Sequence, residues 1–340
     1  MLGWKRNDGW KRKAIGLAMA VLTGCLLFGV MGAQQGGRIE RERVGQREGR
    51  GRFPELMERF GQRFPSEPSF FPPNSRQRLS GLGFHSRQSR QQSQNVELVG
   101  FTGGAIFDVF VKDNYAYCAS VSGLLIFNVS NPSNPQLVGK LFLPGFALGV
   151  YVSGNYAYVA YGDAGLRVID VSNPANPREV GYFDTPGYAY GVYVSGNYAY
   201  VADRFAGLRV IDVSNPANPR EVGFFNTPGY AYDVYVSGNY AYVAYGDAGL
   251  RVIDVSNPAN PREVGFFNTP DWALGVYVSG NYAYVADEGA GLRVIDVSNP
   301  SNPREVGYFD TPGEAEGVYV SGNYAYVADG GAGLFILRFT

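Results

Sequence analysis

The sequence predicts an all-β fold, a six-bladed β-propeller with four antiparallel strands per blade, from a repeat period, a strand pattern and a strand count. A stretch built around Asn-Tyr-Ala-Tyr recurs at spacings of 41 and then 42 residues, starting at Asn114, Asn155, Asn197, Asn239, Asn281 and Asn323. A fixed period of this length indicates a repeat architecture. Each copy holds four short runs of β-branched and aromatic residues and no helical period, which is typical of a propeller blade.

The strand count predicts how the ring closes. The last copy ends at Thr340 after its third strand, whereas VELVGF at 96–101 precedes the first copy and matches the REVGFF pattern of a fourth strand. We therefore expect residues 96–101 to complete the last blade, because an open ring would leave an unpaired sheet edge at each end. The propeller is predicted to span residues 96–340.

Residues 1–33 have the pattern of an export signal, a basic start followed by 20 uncharged residues at 14–33. Three outcomes stay open: cleavage near Ala33, lipidation of Cys25 in a Leu-Thr-Gly-Cys run that resembles a lipobox, or retention of 14–33 as a membrane anchor. We favour cleavage, with a membrane tether second. Each outcome predicts an extracytoplasmic protein that is periplasmic, secreted or on the cell surface.

Residues 34–95 differ sharply from the repeats in composition. They hold 12 Arg and 6 Glu, a net charge of +6, whereas residues 96–340 hold 12 basic and 23 acidic residues, a net charge of −11. The composition favours a solvated, disordered linker with a candidate short helix over 54–64. The alternative is a basic arm that contacts an anionic surface, such as lipopolysaccharide, phospholipid or the acidic propeller.

The residue inventory excludes several kinds of chemistry. The single histidine, His85, lies in the linker, so we expect no His-based nucleophile, proton relay or His-containing metal site in the propeller. No cofactor or metal site is predicted, and the acidic repeats do not suit nucleic acid. Cys118 stands where the other copies have Val, which indicates a core position, and we expect no disulfide.

The connections between strands divide into a uniform and a varied set. The SGN and SNP turns, after the first and third strands, are nearly constant, whereas the connections after the second and fourth strands vary and should lie together on the opposite face. The varied set supplies the candidate ligand-binding residues Asp108, Phe146, Tyr188, Tyr190, Arg204, Phe205, Tyr230, Tyr232, Asp233, Asp271, Trp272, Glu288, Glu314 and Glu316. It also supplies Asp163, Asp203, Asp247, Asp287 and Asp329 to an aromatic and acidic rim.

Asp108 and Asp233 occupy equivalent positions in the first and fourth blades, where the other blades have Gly. These blades face each other across a six-fold ring, so both side chains are expected to reach its central mouth. The alternative for any single Tyr or Asp of the rim is a turn or packing role, such as Asp163 and Asp247 in a tight Asp-Ala-Gly turn.

GLLIFNVSNP from Gly123 and the GLRVIDVSNP copies from Gly165, Gly207, Gly249 and Gly291 resemble the LVIVD-repeat family of bacterial and archaeal surface or exported proteins. The resemblance covers residues 96–340, and only the final copy, GLFILRFT, departs from it. It implies a propeller and an extracytoplasmic location. Most members have no assigned activity, so the resemblance supplies no functional residues.

Two classes of function fit these observations. The first is a non-enzymatic binding or scaffold module whose aromatic and acidic face takes a glycan, a cationic ligand or another protein of the cell envelope. The second is a polysaccharide-active enzyme with paired carboxylates, such as Asp108 with Asp233 or Glu314 with Glu316. We favour binding, because nearly identical blades form a symmetric platform, whereas catalysis usually requires one differentiated corner.

Overall fold

The computed structural model describes residues 105–143, 145–226 and 229–338. These residues form a six-bladed β-propeller, which confirms the fold predicted from the repeat. Five of the described sheets have four strands and the last has three. The predicted export signal, Cys25, the linker with its helix over 54–64 and the closing strand 96–101 all lie outside the described residues.

Each blade is an antiparallel meander in which strands follow one another in space as in the chain. The first strands of blades 1 to 6, which pack on one another from blade to blade, are β1 (Ile106–Lys112), β5 (Gly149–Ser153), β9 (Gly191–Ser195), β13 (Asp233–Ser237), β17 (Ala273–Ser279) and β21 (Gly317–Ser321). The second strands are β2 (Tyr115–Ser120), β6 (Tyr156–Ala160), β10 (Tyr198–Ala202), β14 (Tyr240–Ala244), β18 (Tyr282–Asp287) and β22 (Tyr324–Ala328).

The third strands are β3 (Gly123–Asn128), β7 (Leu166–Asp170), β11 (Leu208–Asp212), β15 (Leu250–Asp254), β19 (Leu292–Asp296) and β23 (Leu334–Leu337). The fourth strands are β4 (Gln136–Leu141), β8 (Arg178–Phe183), β12 (Arg220–Phe225), β16 (Arg262–Phe267) and β20 (Arg304–Phe309). A 3₁₀ turn at Gly330–Ala332 precedes β23.

The core lies between neighbouring blades. Val150 and Val152 of β5 pack against Tyr117, Leu124 and Ile126 of the first blade, and the same pattern recurs at the next four junctions. Both faces of an internal blade are therefore covered, which explains why the strands are apolar at successive positions rather than at alternate ones.

The two terminal blades each leave one face exposed. Val109 and Val111 of β1 are 53% and 60% exposed, whereas the equivalent Val150 and Val152 are 3% and 4% exposed. Leu334 in the last blade is likewise 56% exposed. The described residues thus form five blade-to-blade junctions, and closure by residues 96–101 stays a prediction.

The uniform turns have a local explanation. The Gly of each SGN turn has a positive φ, as at Gly154 with φ 58°, a conformation that glycine adopts without a steric penalty. In the SNP turn the Asp170 carboxylate accepts a hydrogen bond from the Ser172 amide at 2.9 Å, and the equivalent bond recurs in blades 3, 4 and 5.

Candidate functional site

The varied connections lie together, as the strand order predicted. Short antiparallel bridges join the connection between the second and third strands of one blade to the connection that enters the next blade. They pair Gly162 with Ala189, Arg204 with Ala231, Gly246 with Ala273 and Glu288 with Ala315. We call this side of the ring the loop face. Its backbone is fixed by paired hydrogen bonds of 2.8 to 3.1 Å, so side chains can differ from blade to blade without disturbing the framework.

Five aromatic side chains form a continuous cluster on the loop face. The members of this aromatic cluster are Tyr188, Tyr190, Tyr230, Tyr232 and Trp272. Tyr190 and Tyr232 meet edge to face with ring centroids 5.3 Å apart, and the Trp272 ring lies 5.9 Å from Tyr232. These separations are those of favourable aromatic pairs. The loops that enter blades 3, 4 and 5 therefore share one aromatic surface.

Arg204 lies over this cluster. Its guanidinium carbon is 5.3 Å from the centre of the Tyr230 ring, a cation–π distance. Arg204 has φ 47° and Glu288 has φ 38°, whereas blades 2, 4 and 6 have Gly at the equivalent positions. Left-handed backbone is unfavourable for a side chain of this size. Two blades thus have a charged residue at a position where glycine would adopt the left-handed conformation without strain.

Carboxylates occupy the other side of the loop face. Burial raises the pKa of Glu316, and the neighbouring Glu314 raises it further. Burial raises the pKa of Tyr190, with Arg204 opposing the rise and Glu316 adding to it. Glu316 enters blade 6 and Tyr190 enters blade 3, so these two side chains interact across the centre of the face.

We call the aromatic cluster together with Glu314 and Glu316 the outer layer of the loop face. Asp108 and Asp233 each lie one residue further along the chain than the position equivalent to Tyr190 and Glu316 in their own blades. The Asp108 carboxylate accepts hydrogen bonds from the amides of Val109 and of Val150 in the next blade, both at 2.8 Å. Asp233 likewise accepts from Val234 at 2.8 Å and from Val276 at 3.0 Å. Each carboxylate therefore joins two neighbouring blades.

The two carboxylates also interact with each other. Burial raises the pKa of Asp233 to about 7; the Val276 amide opposes the rise, and the Asp108 carboxylate adds to it. Burial raises the pKa of Asp108 as well, against its two backbone hydrogen bonds. Space beside them is limited, because a β-carbon at Gly191 would lie 2.9 Å from the carbonyl oxygen of Tyr232. Asp108 and Asp233 thus form an acidic floor beneath the outer layer.

Below this floor an aromatic ladder lines the centre of the propeller. Its members, at the third position of each first strand or its equivalent, are Phe110, Tyr151, Tyr193, Tyr235, Tyr277 and Tyr319. Successive rings are 4.6 to 5.0 Å apart. Burial and the neighbouring Tyr151 and Tyr235 raise the pKa of Tyr193, so its hydroxyl stays neutral.

The family profile for the LVIVD repeat matches the chain six times, at residues 103–141, 144–185, 186–227, 228–269, 272–311 and 312–337. The chain belongs to the LVIVD-repeat family. The matched segments correspond to the six blades, which confirms the resemblance drawn from the GLRVIDVSNP copies.

Two solved structures share the fold of this LVIVD-repeat protein. A functionally unknown protein from Desulfotomaculum acetoxidans superposes with a TM-score of 0.60 and 14% identity, over 70% of this chain and 83% of that one. The computationally designed Ika8 protein superposes with a TM-score of 0.55 and 10% identity, over 69% and 71% of the two chains. At these identities the likeness concerns the fold alone. No curated protein matches the chain.

Three aspartates that the sequence assigned to the rim of the LVIVD repeats have the packing role that was left open as the alternative. Asp203, Asp287 and Asp329 are fully buried. The Asp203 carboxylate accepts the Thr185 hydroxyl at 2.6 Å and the Gly187 amide at 2.8 Å. It therefore anchors the loop that enters its own blade.

The same anchoring position is filled differently in other repeats. Asp329 accepts the hydroxyl of Thr311 and the amide of Gly313, and Asp287 accepts the amide of Asp271 at 3.1 Å. In blades 2 and 4 a tyrosine hydroxyl instead donates to a backbone carbonyl: Tyr161 to Leu143 in the entering loop, and Tyr245 to Phe225 at the end of β12. The sequence did contain a signal for this anchoring role, namely the exchange of Tyr for Asp at one repeat position. Both side chains can form hydrogen bonds with the same backbone segment.

The remaining predicted residues lie around the aromatic cluster. Phe146 and Phe205 are 46% and 60% exposed, and neither makes a ring contact with the aromatic cluster within the described parts of the chain. Asp271 is half-buried beside Trp272, and Asp163 and Asp247 are exposed. A shallow hollow of about 620 Å³ lies between Gly289, Gly313, Glu314 and Gly331.

Among residues 105–143, 145–226 and 229–338, no group of three or more His, Cys, Asp or Glu side chains could hold a metal ion. The same stretches contain no helix with the length and apolar character needed to cross a bilayer. Cys118 is buried with a free thiol, and burial raises its pKa to about 11.

Proposed function

We propose that this LVIVD-repeat propeller is a non-enzymatic binding module that acts through its loop face. The observation that carries the proposal is the aromatic cluster, with Glu316 acting on Tyr190 across the centre of the same face. Half-buried rings beside carboxylates supply stacking and charge together, which is the chemistry that glycan, cation and protein ligands require.

Comparison among the blades supports this assignment. Trp272, Glu314 and Glu316 stand at loop positions where other blades fold with different residues. The bridges beneath them use backbone atoms and recur from blade to blade. The repeated framework therefore does not depend on the identity of these side chains, and a ligand is a better explanation of their variation among the blades than folding is.

The test is a binding screen of the purified protein, with a glycan array and a pull-down from its own envelope fraction. Trp272→Ala combined with Glu314→Gln should weaken the binding that the screen detects, and the lost contacts of Trp272 with Tyr230 and Tyr232 should lower the melting temperature by only a few degrees. Tyr308→Ala is the matched control, because Tyr308 is 64% exposed but lies on the outer strand β20. Equal affinity of the Trp272 variant and the wild type would remove the loop face from consideration.

The polysaccharide-active enzyme is the second candidate. It is favoured by one observation, the raised pKa of Asp233 beside a second carboxylate, since glycoside hydrolysis uses a pair of acids with separated pKa values. Against it, each oxygen of Asp108 and Asp233 already accepts a backbone amide. Release of reducing sugar from a polysaccharide panel, lost in Asp233→Asn, would establish this candidate over the first.

We also propose that the protein acts outside the cytoplasm, delivered by residues 1–33. The support is the basic start followed by 20 uncharged residues. Fractionation of cells expressing the full chain separates the three outcomes: a soluble shortened product indicates cleavage, membrane retention lost in Cys25→Ser indicates lipidation, and retention by both forms indicates an anchor. Release of the retained form by salt would instead indicate that the basic residues 34–95 contact an anionic surface.

A further inference from the structure

The aromatic ladder brings tyrosine rings of neighbouring blades into contact at the centre of the propeller. Tyr193 lies between two of them, with ring centroids 4.6 Å from Tyr151 and 4.8 Å from Tyr235. Tyr277 likewise lies 4.8 Å from Tyr235 and 5.0 Å from Tyr319. These separations are at the short end of the range for aromatic pairs. The ladder thus contains four successive tyrosine pairs, and each pair joins the first strands of two adjacent blades.

The reactive edges of these rings lie close together. The hydroxyls of Tyr151 and Tyr235 both interact with the hydroxyl of Tyr193. A phenol that has lost one electron and its hydroxyl proton carries the unpaired electron on the oxygen and on the ring carbons ortho to it, which belong to this same edge. The first three pairs are tilted by 46° to 53°, and the two rings of a biphenol are also twisted rather than coplanar. A bond between ortho carbons therefore requires little movement of the rings.

The ladder is open to small oxidants. Tyr319 in the last blade is 58% exposed, and Tyr151, Tyr193, Tyr235 and Tyr277 are half-buried. Successive rings are in contact along the whole ladder, so an oxidising equivalent taken up at Tyr319 also has a path to the inner rings.

Tyrosine pairs on the loop face are less suited to coupling. Their ring centroids are 5.3 Å apart for Tyr190 with Tyr232, 6.1 Å for Tyr188 with Tyr190, and 6.5 Å for Tyr230 with Tyr232. Tyr232 is also buried. The closer and more accessible pairs of the ladder should therefore react first.

The cysteines of this chain do not supply a link between blades. The sequence has two cysteines, Cys25 in the predicted export signal and Cys118 in the first blade, so no disulfide can join two blades. Disulfides are the usual covalent link in proteins outside the cytoplasm. The tyrosine ladder offers an oxidisable pair at four successive junctions instead.

We propose that the aromatic ladder is a site of oxidative cross-linking, in which neighbouring tyrosines form dityrosine and thereby stabilise the propeller by joining adjacent blades covalently. Two phenols each lose one electron and the hydroxyl proton, and the two radicals form one carbon–carbon bond between ortho carbons. The two ortho hydrogens then move to the oxygens, which restores both phenols. Hydrogen peroxide, acting through a peroxidase, takes up the two electrons and two protons and becomes two molecules of water. This site goes beyond the binding function proposed for the loop face and does not depend on it.

The test is treatment of the purified full chain, at low protein concentration, with hydrogen peroxide and a peroxidase, followed by isolation of the monomer. We expect dityrosine fluorescence and a mass lower by two hydrogens per link. Trypsin should yield a cross-link between the peptides that carry Tyr151 and Tyr193, which cleavage after Arg167 and Arg178 separates. The linked monomer should melt about 10 °C higher, because the link closes a loop of 42 residues in the unfolded chain.

Two substitutions remove every tyrosine pair of the ladder. Tyr193→Phe combined with Tyr277→Phe should abolish nearly all of the dityrosine in the monomer, and Phe110 shows that the ladder accepts phenylalanine. Tyr182→Phe combined with Tyr308→Phe is the matched control. These two rings are 54% and 64% exposed and stack on arginines on the outer strands β8 and β20, so the control should keep the wild-type yield.

Three results would overturn the cross-linking site: a monomer without dityrosine, an equal yield in wild type and in the Tyr193 and Tyr277 variant, or links that map to Tyr190 with Tyr232. A link within the ladder that leaves the melting temperature unchanged would overturn the stabilising role. The binding screen on the loop face is a separate measurement, so failure of the cross-link leaves the proposed binding function standing.

Discussion

Asp233→Gly is the substitution that best tests the electrostatic account of the acidic floor. Blades 2, 3, 5 and 6 have glycine at this position, so the variant gives the fourth blade a residue that the fold already accepts. It removes the carboxylate that accepts the amides of Val234 and Val276. Loss of these two hydrogen bonds alone should lower stability by about 1 to 3 kcal/mol, and the pH-dependent effect of the buried carboxylate is added to this amount.

The diagnostic effect is the pH dependence. Burial raises the folded-state pKa of Asp233 from 3.8 to about 7, so the folded protein binds this proton more tightly than the unfolded chain. The contribution of Asp233 is therefore fully present below about pH 3.8 and is lost as the pH rises towards 7. At about 1.4 kcal/mol per pKa unit, the loss approaches roughly 4 kcal/mol.

The assay is urea unfolding of wild type and Asp233→Gly at several values between about pH 4.5 and about pH 8. The stability of the wild type relative to the variant should fall by about 3 kcal/mol over this range. Asp108→Gly removes the facing charge, so it should lower the pKa of Asp233 and reduce the slope. Parallel pH profiles for wild type and Asp233→Gly would show that burial does not raise the pKa of Asp233. An Asp108→Gly profile with the slope of the wild type would show that the two carboxylates do not interact.

Three further predictions concern stability. Asp203→Ala should lower the free energy of unfolding by about 2 to 4 kcal/mol in urea titration, because it removes the acceptor of the Thr185 hydroxyl and the Gly187 amide and one of the two carboxylates beside Arg209; a loss under 1 kcal/mol would contradict the anchoring role. Gly191→Ala should lower the melting temperature by several degrees because its β-carbon would meet the next blade, whereas Gly317→Ala, at the equivalent position of blade 6, would meet only the Ala328 β-carbon at 4.0 Å and should have the smaller effect; equal shifts would argue against close packing at Gly191. Deletion of residues 1–102 should destabilise the propeller far more than deletion of 1–94 if 96–101 is a strand, and equal unfolding midpoints would refute closure by that segment.

The fold was predictable because the same pattern of strands and turns occurs in six copies. A pattern read in one copy, such as strand–SGN–strand, could be checked in the others, so errors at a single residue did not matter. The strand order then placed the varied connections on one face without any coordinates, and the bridges such as Gly162 with Ala189 confirm that placement.

The buried aspartates were not predictable in the same way. Asp203 stands where Tyr161 and Tyr245 stand in other blades, and in the sequence this exchange looks like surface variation. Its explanation is a loop that enters from the preceding blade and offers a hydroxyl and an amide 16 to 18 residues away. Partners at that separation can be identified only once the loop conformation is known.

The aromatic ladder illustrates a second limit. Tyr151 and its equivalents alternate with buried valines, and in the sequence they are strand-forming residues on one sheet face. That they contact one another at 4.6 to 5.0 Å depends on how closely the first strands approach at the centre. The packing of the first strands of neighbouring blades sets this approach, and a single repeat does not encode it alone.

The two faces of the propeller differ because their loops are stabilised by different groups. On the uniform face the side chains themselves make the turn, as with Asp170 and the Ser172 amide, so changing them changes the backbone. On the loop face the bridges are backbone to backbone, and the anchors are buried beneath them. Side chains above them, such as the half-buried Trp272 and the exposed Glu316, can consequently be selected for a ligand, which is why differences among the blades of one chain indicate the candidate site.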